Sequence, residues 1–186
     1  MPPVFLNNDD PIPGLDGSTV GHFWQWAYSD ILSDRNRSIF AEFIVGVALG
    51  VLDTPRVEWD AVDLRFRGYS VEVKAAAYLQ SWTQKKLSAI RYDFRKKRPD
   101  IAAEMSESTG EATRRADVYV FCHYAETEKA RANVLDLPTW DFYVVSKATL
   151  TREFDHKQSL SLLDVKRVGT ACKFDCLRAE VEHVIG

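Results

Sequence analysis

The chain contains few cysteines, only three among its 186 residues, and an odd number provides no disulfide framework. Cys172 and Cys176 stand four positions apart, but no second pair of Cys or His follows at the spacing of a zinc site. We therefore expect free, reduced thiols and a cytoplasmic location.

The chain also lacks a surplus of positive charge, because 27 acidic residues outnumber 24 basic ones and the formal net charge is -3. This balance argues against a protein that coats nucleic acid by charge alone, so any nucleic-acid surface has to be local. No apolar run is long enough to span a bilayer: the longest, 39–52, falls short of the roughly 20 residues required and contains Glu42. The first residues show no basic region followed by an apolar core, so we expect neither a secretory signal nor a membrane partner.

The composition that remains is that of a soluble globular protein, with 46% hydrophobic and 27% charged residues. The length fits one domain spanning 1–186. Residues 1–21 are rich in Pro, Gly, Asp and Asn and predict an extended N-terminal arm. A helical pattern follows over 23–32, and the polar residues 33–37 then offer caps for a second helix.

The second helical segment, 39–52, is apolar on every side, which predicts a helix buried on most of its surface. Gly50 is suited to end it. Its single charge, Glu42, has two interpretations. The carboxylate either lies near the first turn and pairs with Arg35 or Arg37, or it points into a metal site.

The stretch 57–80 reads as two strands joined by a two-residue turn at Arg67-Gly68, where glycine supplies the positive φ that such turns need. Because side chains alternate along a strand, one face carries mainly apolar side chains and the other mainly polar ones. The apolar face comprises Val62, Leu64, Phe66, Tyr69, Val71 and Val73. The polar face comprises Ala61, Asp63, Arg65, Ser70, Glu72 and Lys74.

This register places Asp63 opposite Glu72, and two carboxylates so close together repel unless a proton or a cation lies between them. Mg²⁺ is commonly held by one or two carboxylates, with water and phosphate completing its shell. Lys74 falls on the same face and suits contact with a phosphate or an attacking water. In the same register, Asp60 and Glu58 would fall on the apolar face, so neither is a candidate metal ligand. The alternative interpretation is an ordinary solvated strand surface.

The segment after Lys74 carries a loosely helical apolar pattern at Leu79, Trp82, Leu87 and Ile90, together with a local excess of basic residues. It is a candidate phosphate-contacting surface, and the alternative is a solvated helix face. The candidate nucleic-acid-binding residues are Gln80, Gln84, Lys85, Lys86, Arg91, Arg95, Lys96 and Lys97.

Farther along, a polar connection over 99–116 precedes two aromatic, β-branched segments, 117–124 and 140–146, that predict buried strands. Ser146 is placed to cap a short helix through Leu150, and a final helical pattern has Asp175 as its expected N-cap. Adjacent Cys122 and His123 point to opposite faces of a strand, which argues against a thiol hydrolase.

The order of these elements and the spacing Asp63-x8-Glu72-x-Lys74 resemble the restriction-endonuclease-like superfamily, whose motif is written PD-(D/E)xK. The resemblance covers 29–146, and VEVKAAAYLQSW is similar to a form found in uncharacterised bacterial members. It implies an α/β fold with an α-β-β-β-α-β core and a central mixed sheet flanked by helices. Two departures are Val62 in place of the motif's Pro and Ala75 where many members have Ser or Thr.

By this resemblance the chain is a Mg²⁺-dependent nuclease, with Mn²⁺ as a substitute metal, acting on double-stranded DNA in restriction, defence or repair. Asp63, Glu72 and Glu42 are the implied metal ligands, and Lys74 assists the attack of water. A symmetric duplex substrate favours a homodimer. The alternative is a module of the same fold that binds nucleic acid or a partner protein without cutting.

Overall fold

The computed structural model describes residues 3–58, 60–96 and 113–186. Helix α1 spans Val20–Tyr28 and is capped by Thr19, so it begins and ends earlier than the expected range of 23–32. Between residue 3 and α1 the arm forms turns and one isolated bridge, from Pro11 to Thr19. Lys97, a candidate nucleic-acid-binding residue, lies outside the described residues.

Helix α2 spans Asp34–Leu49, and both of its predicted ends are confirmed. The Ser33 side chain accepts a hydrogen bond from the backbone N–H of Asn36, which caps the first turn. Gly50 takes the left-handed conformation with φ of 71° and donates its N–H to the carbonyls of Gly46 and Val47.

The expectation that this helix is buried on most of its surface holds for the side that faces the sheet. Ile44, Val45 and Leu49 are buried, but Phe43 and Val47 on the opposite side are 53% and 46% exposed. Neighbouring elements cover one side of the helix only, so apolar character all round does not translate into burial all round.

The described residues form seven strands, five of which build a mixed sheet in the order β1-β2-β4-β5-β7. In chain order the strands are β1 (Leu64–Phe66), β2 (Tyr69–Ala77), β3 (Arg91–Asp93), β4 (Val118–Tyr124), β5 (Trp140–Ser146), β6 (Ser159–Ser161) and β7 (Ala171–Cys172). Strands β2 and β4 run parallel, whereas the other neighbours in this sheet are antiparallel. Strands β3 and β6 form a separate antiparallel pair.

The predicted turn of the first strand pair is confirmed, and so is the register of its three residue pairs; the predicted pairing of Asp63 with Glu72 is not among them, because β1 begins at Leu64. Arg67 and Gly68 both have positive φ, 50° and 84°, which is the pattern of the tight turns that suit hairpin twist. Phe66 pairs with Tyr69, and Leu64 pairs with Val71, as the alternation of side chains requires.

Two apolar cores lie on the two faces of the five-stranded sheet. On one face α2 and the last helix, α5 (Phe174–Ile185), pack against β2, β4 and β5. On the other lie α3 (Lys147–Phe154), α4 (Leu162–Val168) and the β3–β6 pair. The architecture is therefore α/β, a mixed sheet flanked by helices.

The expected division of the hairpin into an apolar and a polar face holds only at its centre. Val62 packs into the second core rather than the first, and Tyr69 is 40% exposed. Ser70 and Glu72, expected on a polar surface, are buried. Ser70 and Glu72 are buried because β2 lies inside the sheet, where both faces are covered.

The expected helix after β2 is wrong, since the described residues 78–90 contain neither helix nor strand. Strand β3 follows, outside the central sheet, so it is not a third strand of that sheet. Most of the expected connection 99–116 lies outside the described residues. The helix after Ser146 is capped as predicted but continues to Phe154, and the N-cap of α5 is Lys173 rather than Asp175.

Among the residues that the structure describes, no helix combines the length and the apolar character needed to cross a membrane.

Candidate active site

Asp63 lies one residue before β1, at the point where β1 stops covering the edge of β2. The last paired residue of β2 on that side is Val71, opposite Leu64. Farther along, the backbone N–H of Val73 donates to Asp63 Oδ2 at 2.7 Å. The Asp63 carboxylate thus continues the hydrogen bonding of the edge and is fixed beside β2.

Glu72 and Lys74 lie on the same face of β2, as their spacing predicts. Glu72 is 5% exposed, and its Oε1 accepts a hydrogen bond from Lys74 Nζ at 2.5 Å. A buried carboxylate is costly unless it is paired, so Lys74 stabilises the charge of Glu72.

The surroundings of Asp63 raise the pKa of its carboxyl group. Burial and the negative charge of Glu72 raise the pKa of Asp63 from 3.8 to about 6, although the Val73 N–H and Lys74 act to lower it. The charge of Glu42 raises the pKa of Asp63 further. Glu72 and Glu42 therefore both repel the ionised Asp63 carboxylate, and a cation beside Asp63 would relieve the repulsion.

Glu42 is bound by Arg56, a residue that the sequence analysis did not single out. Arg56 Nε and Nη2 lie 2.5 Å and 3.0 Å from the two oxygens of Glu42. The expected partners are wrong: Arg37 pairs with Asp34 at 2.7 Å, and Arg35 is 3.7 Å from Glu58.

One sequence signal does point to Arg56. It is the only basic residue in the run 51–60, which connects the buried helix to the acidic hairpin. Glu42, a largely buried acid in the helix that precedes this run, requires a partner from nearby in the fold.

A cavity of about 490 Å³ opens beside Asp63, between α2 and the segment that leads to β1. Its polar lining includes Glu42, Arg56, Asp60 and Asp63. Asp60 is exposed, and its Oδ1 accepts from the N–H of Ala61. Asp60 is therefore part of the rim, whereas Asp63 is anchored to β2.

Glu72 and Lys74 line a second, much smaller cavity of about 20 Å³. Asp93, Arg95 and Tyr119 are also in its lining. Asp63 thus lines the larger cavity, and the Glu72–Lys74 pair lines the smaller one.

Of the three expected metal ligands, Asp63 and Glu72 have carboxylate oxygens that suit a hard divalent cation, whereas those of Glu42 are bound by Arg56. Among the described residues, no group of three or more His, Cys, Asp or Glu side chains is arranged to hold a metal ion. Mg²⁺ is commonly bound by one or two carboxylates with water and phosphate, and Asp63 and Glu72 supply carboxylates of that type. Both oxygens of Glu42 are hydrogen-bonded to Arg56, so Glu42 becomes a ligand only if Arg56 moves.

The candidate nucleic-acid-binding residues divide into three groups. Lys85, Lys86 and Arg91 are exposed. Arg95 pairs with Asp93 at 2.9 Å and Lys96 with Asp155 at 2.9 Å, which reduces the charge available to a phosphate. Gln80 and Gln84 hydrogen-bond within their own loop.

Comparison with known proteins adds no relative. No family model matches the chain, and no curated protein or solved structure matches it either. Function is therefore inferred from the residues and their geometry.

Proposed function

We propose that the chain is a metal-dependent nuclease that hydrolyses phosphodiester bonds in DNA. The observation that carries this proposal is the Asp63 carboxyl, whose pKa is raised to about 6 by burial and by Glu72 while it is held on β2 beside Glu72 and Lys74. Perturbed acids of this kind concentrate at functional sites, because a fold gains nothing in stability from buried, repelling carboxylates.

Asp63 and Glu72 would hold Mg²⁺ or Mn²⁺, with Glu42 joining them if it leaves Arg56. When bound, the metal supplies a Lewis acid and an activated water. Lys74 carries a positive charge beside Glu72 and is placed to offset negative charge that develops on the phosphate. Arg56, whose side chain is 37% exposed, offers a planar cation to a neighbouring phosphate.

The fold supports this proposal through the order of its elements. An acid-bearing helix, a short strand preceded by Asp63, and a strand with Glu-x-Lys follow one another, as the restriction-endonuclease-like core has them. Strand β2 then pairs in parallel with β4, which places the Glu-x-Lys strand inside the sheet. We assign the chain to that core as part of the same proposal.

Double-stranded DNA is the proposed substrate, and a homodimer would present two such sites to the two strands of a symmetric duplex. The exposed charges of Lys85, Lys86 and Arg91 support an anionic partner.

A second candidate is a non-cutting binding module of the same fold. The 2.5 Å contact between Lys74 Nζ and Glu72 Oε1 favours it, because this ion pair neutralises Glu72 without any metal.

Cleavage of supercoiled plasmid and linear duplex DNA in Mg²⁺, Mn²⁺ or EDTA separates the two candidates. We expect metal-dependent cutting by the wild type and a loss of about 10²–10³-fold in rate for Asp63→Asn, Glu72→Gln and Lys74→Met, comparable with removing other preorganised charged groups.

The matched control is Lys166→Ala, because Asp164-Val165-Lys166 repeats the acid-x-Lys form on α4 with Lys166 exposed. It should cut like the wild type. A wild type that never cleaves DNA in either metal would overturn the nuclease proposal and leave the binding module.

A further inference from the structure

The segment 78–90, here called the Trp82 loop, is built as a fixed structure although it contains no helix or strand. Gln84 organises it: Gln84 Oε1 accepts from the N–H of Gln80 at 2.7 Å, and Gln84 Nε2 donates to the carbonyl of Tyr78 at 3.1 Å and to Ser88 Oγ at 3.0 Å. The N–H of Ser88 also donates to the carbonyl of Tyr78 at 2.9 Å, which closes the base of the loop.

A second tie joins this loop to the segment after β4. Lys129 Nζ donates to the carbonyl of Gln80 and, at 3.3 Å, to that of Ser81. A loop held at its base and its middle is preorganised, so a ligand pays little to order it.

The preorganised loop displays an indole ring to solvent. Trp82 is 58% exposed and Leu87 is 45% exposed, so the loop presents two large apolar side chains to solvent. Beside them lies a cavity of about 420 Å³.

The charged side chains in the described lining of that cavity are all positive. Three lysines line it, and no Asp or Glu is among the described residues of its lining. Those lysines are Lys85, Lys86 and Lys129. The lysines and the absence of carboxylates from the described lining favour an anionic occupant.

An anion with a flat apolar surface satisfies both features. Nucleobases stack on exposed aromatic rings while lysines follow the phosphates, which is how single-stranded nucleic acids are bound. Bases in a duplex are stacked on each other and present only their edges in the grooves, so Trp82 has no free base face to meet there. The loop leaves β2 three residues after Lys74, which is roughly 10 Å of strand.

We propose that the Trp82 loop binds an unpaired segment of nucleic acid, with one base stacked on Trp82 and the neighbouring phosphates against Lys85 and Lys86. The choice of a nucleic-acid occupant rests on the proposed nuclease function. It narrows the substrate to DNA with a single-stranded stretch, a flap, gap or frayed end, near the bond that is cut.

Fluorescence anisotropy with a labelled oligo(dT) in EDTA measures this binding without cleavage. Trp82→Ala should weaken binding by about 5- to 100-fold, the loss expected for one base-aromatic stack, and Trp82→Phe should restore most of it. Lys85→Ala with Lys86→Ala should weaken binding and flatten its dependence on salt.

The matched control is Trp26→Ala, because Trp26 on α1 is 85% exposed. It should bind like the wild type. Equal losses for Trp26→Ala and Trp82→Ala, no effect of Trp82→Ala, or equally tight binding of a blunt duplex of matched length would each overturn the inference. The inference would also be overturned by an acidic peptide that displaces oligo(dT) completely and binds the wild-type protein more tightly than oligo(dT) does.

The two proposals fail separately. Trp82-dependent binding with no cleavage of any DNA in Mg²⁺ or Mn²⁺ refutes the nuclease and keeps the binding site. Metal-dependent cleavage of a blunt duplex that Trp82→Ala leaves unchanged refutes the binding site and keeps the nuclease.

Discussion

Asp63 accepts its hydrogen bond from the backbone N–H of Val73, the residue that stands between Glu72 and Lys74. Since neighbouring side chains on a strand point to opposite faces, Glu72 and Lys74 both leave β2 on the side away from Val73. Asp63 lies at the edge of the strand, from which both faces can be reached. This one contact therefore sets the position of the first acid relative to the other two members of the site.

Stability should depend on pH through Asp63. The folded state raises its pKa to about 6 from 3.8, so the ionised form destabilises the fold above that pH, and the penalty fades as the pH falls through these two values. Asp63→Asn should accordingly be more stable than the wild type at pH 7.5 by roughly 1–3 kcal/mol, and nearly equal to it at pH 3.5. Urea unfolding at both pH values measures the difference.

Asp164→Asn is the control of opposite sign for this pH effect. Burial raises the pKa of Asp164, but hydrogen bonds from Lys157 and Ser161 outweigh it and lower the pKa to about 2. The amide variant should therefore be less stable than the wild type at pH 7.5. A destabilised Asp63→Asn at that pH would contradict the repulsion described for the site.

Divalent metal should stabilise the folded protein without any substrate. At a Mg²⁺ concentration about 100 times its Kd, mass action contributes about 2.7 kcal/mol, or roughly 5–10 °C in Tm for a chain of this size. Asp63→Asn and Glu72→Gln should lose most of that shift, measured by thermal unfolding at pH 7.5.

The shift should also shrink at pH 5, where Asp63 is protonated in most molecules. Glu128→Gln serves as the control, because that exposed side chain pairs only with Arg131 among the contacts described and should keep the full shift. An equal shift in all variants would indicate metal binding elsewhere.

Removal of Arg56 should lower the stability of the fold, because the largely buried Glu42 then loses its partner. Arg56→Ala leaves a carboxylate with 12% side-chain exposure without its bidentate partner, and we expect a loss of about 1–3 kcal/mol in the free energy of unfolding. Adding Glu42→Gln should recover part of it, since the stranded charge is then gone. Arg35→Ala, at an exposed 3.7 Å contact, should change stability by less than about 0.5 kcal/mol.

Gln84→Ala should loosen the Trp82 loop while leaving the sheet folded. The substitution removes side-chain hydrogen bonds to Gln80, Tyr78 and Ser88, so limited proteolysis within 78–90 should become faster. Thr83→Ala, an exposed neighbour, is the matched control and should be cut like the wild type. Unchanged cleavage of Gln84→Ala would mean that the loop is held by other contacts.

Local signals explain which parts of the fold the sequence could predict. Ser33 and Gly50 determine the ends of α2 through hydrogen bonds to their own neighbours, and Gly68 with its flanking alternation determines the hairpin register. Each of these depends on residues close together in the chain.

The features that were missed depend on contacts between distant residues or on side chains that compete with the backbone. Arg56 reaches Glu42 across the turn between α2 and β1, which no spacing rule reveals. Leu79 and Ile90 are buried as the apolar pattern of 79–90 implied, but Gln84 satisfies backbone groups that a helix would have used. The separate β3–β6 pair is formed by short strands far apart in the chain.

The hairpin and the parallel pairing of β2 with β4 differ in how far along the chain their contacts reach. Asp63 and Val73 are 10 positions apart, whereas Ser70 and Asp117, which meet at the start of the parallel pair, are 47 apart. Short loops close at lower entropic cost and more quickly, so the hairpin should form ahead of the crossover that buries it. The acidic pair would then be assembled while still hydrated, and its repulsion would grow only as the sheet closes over it.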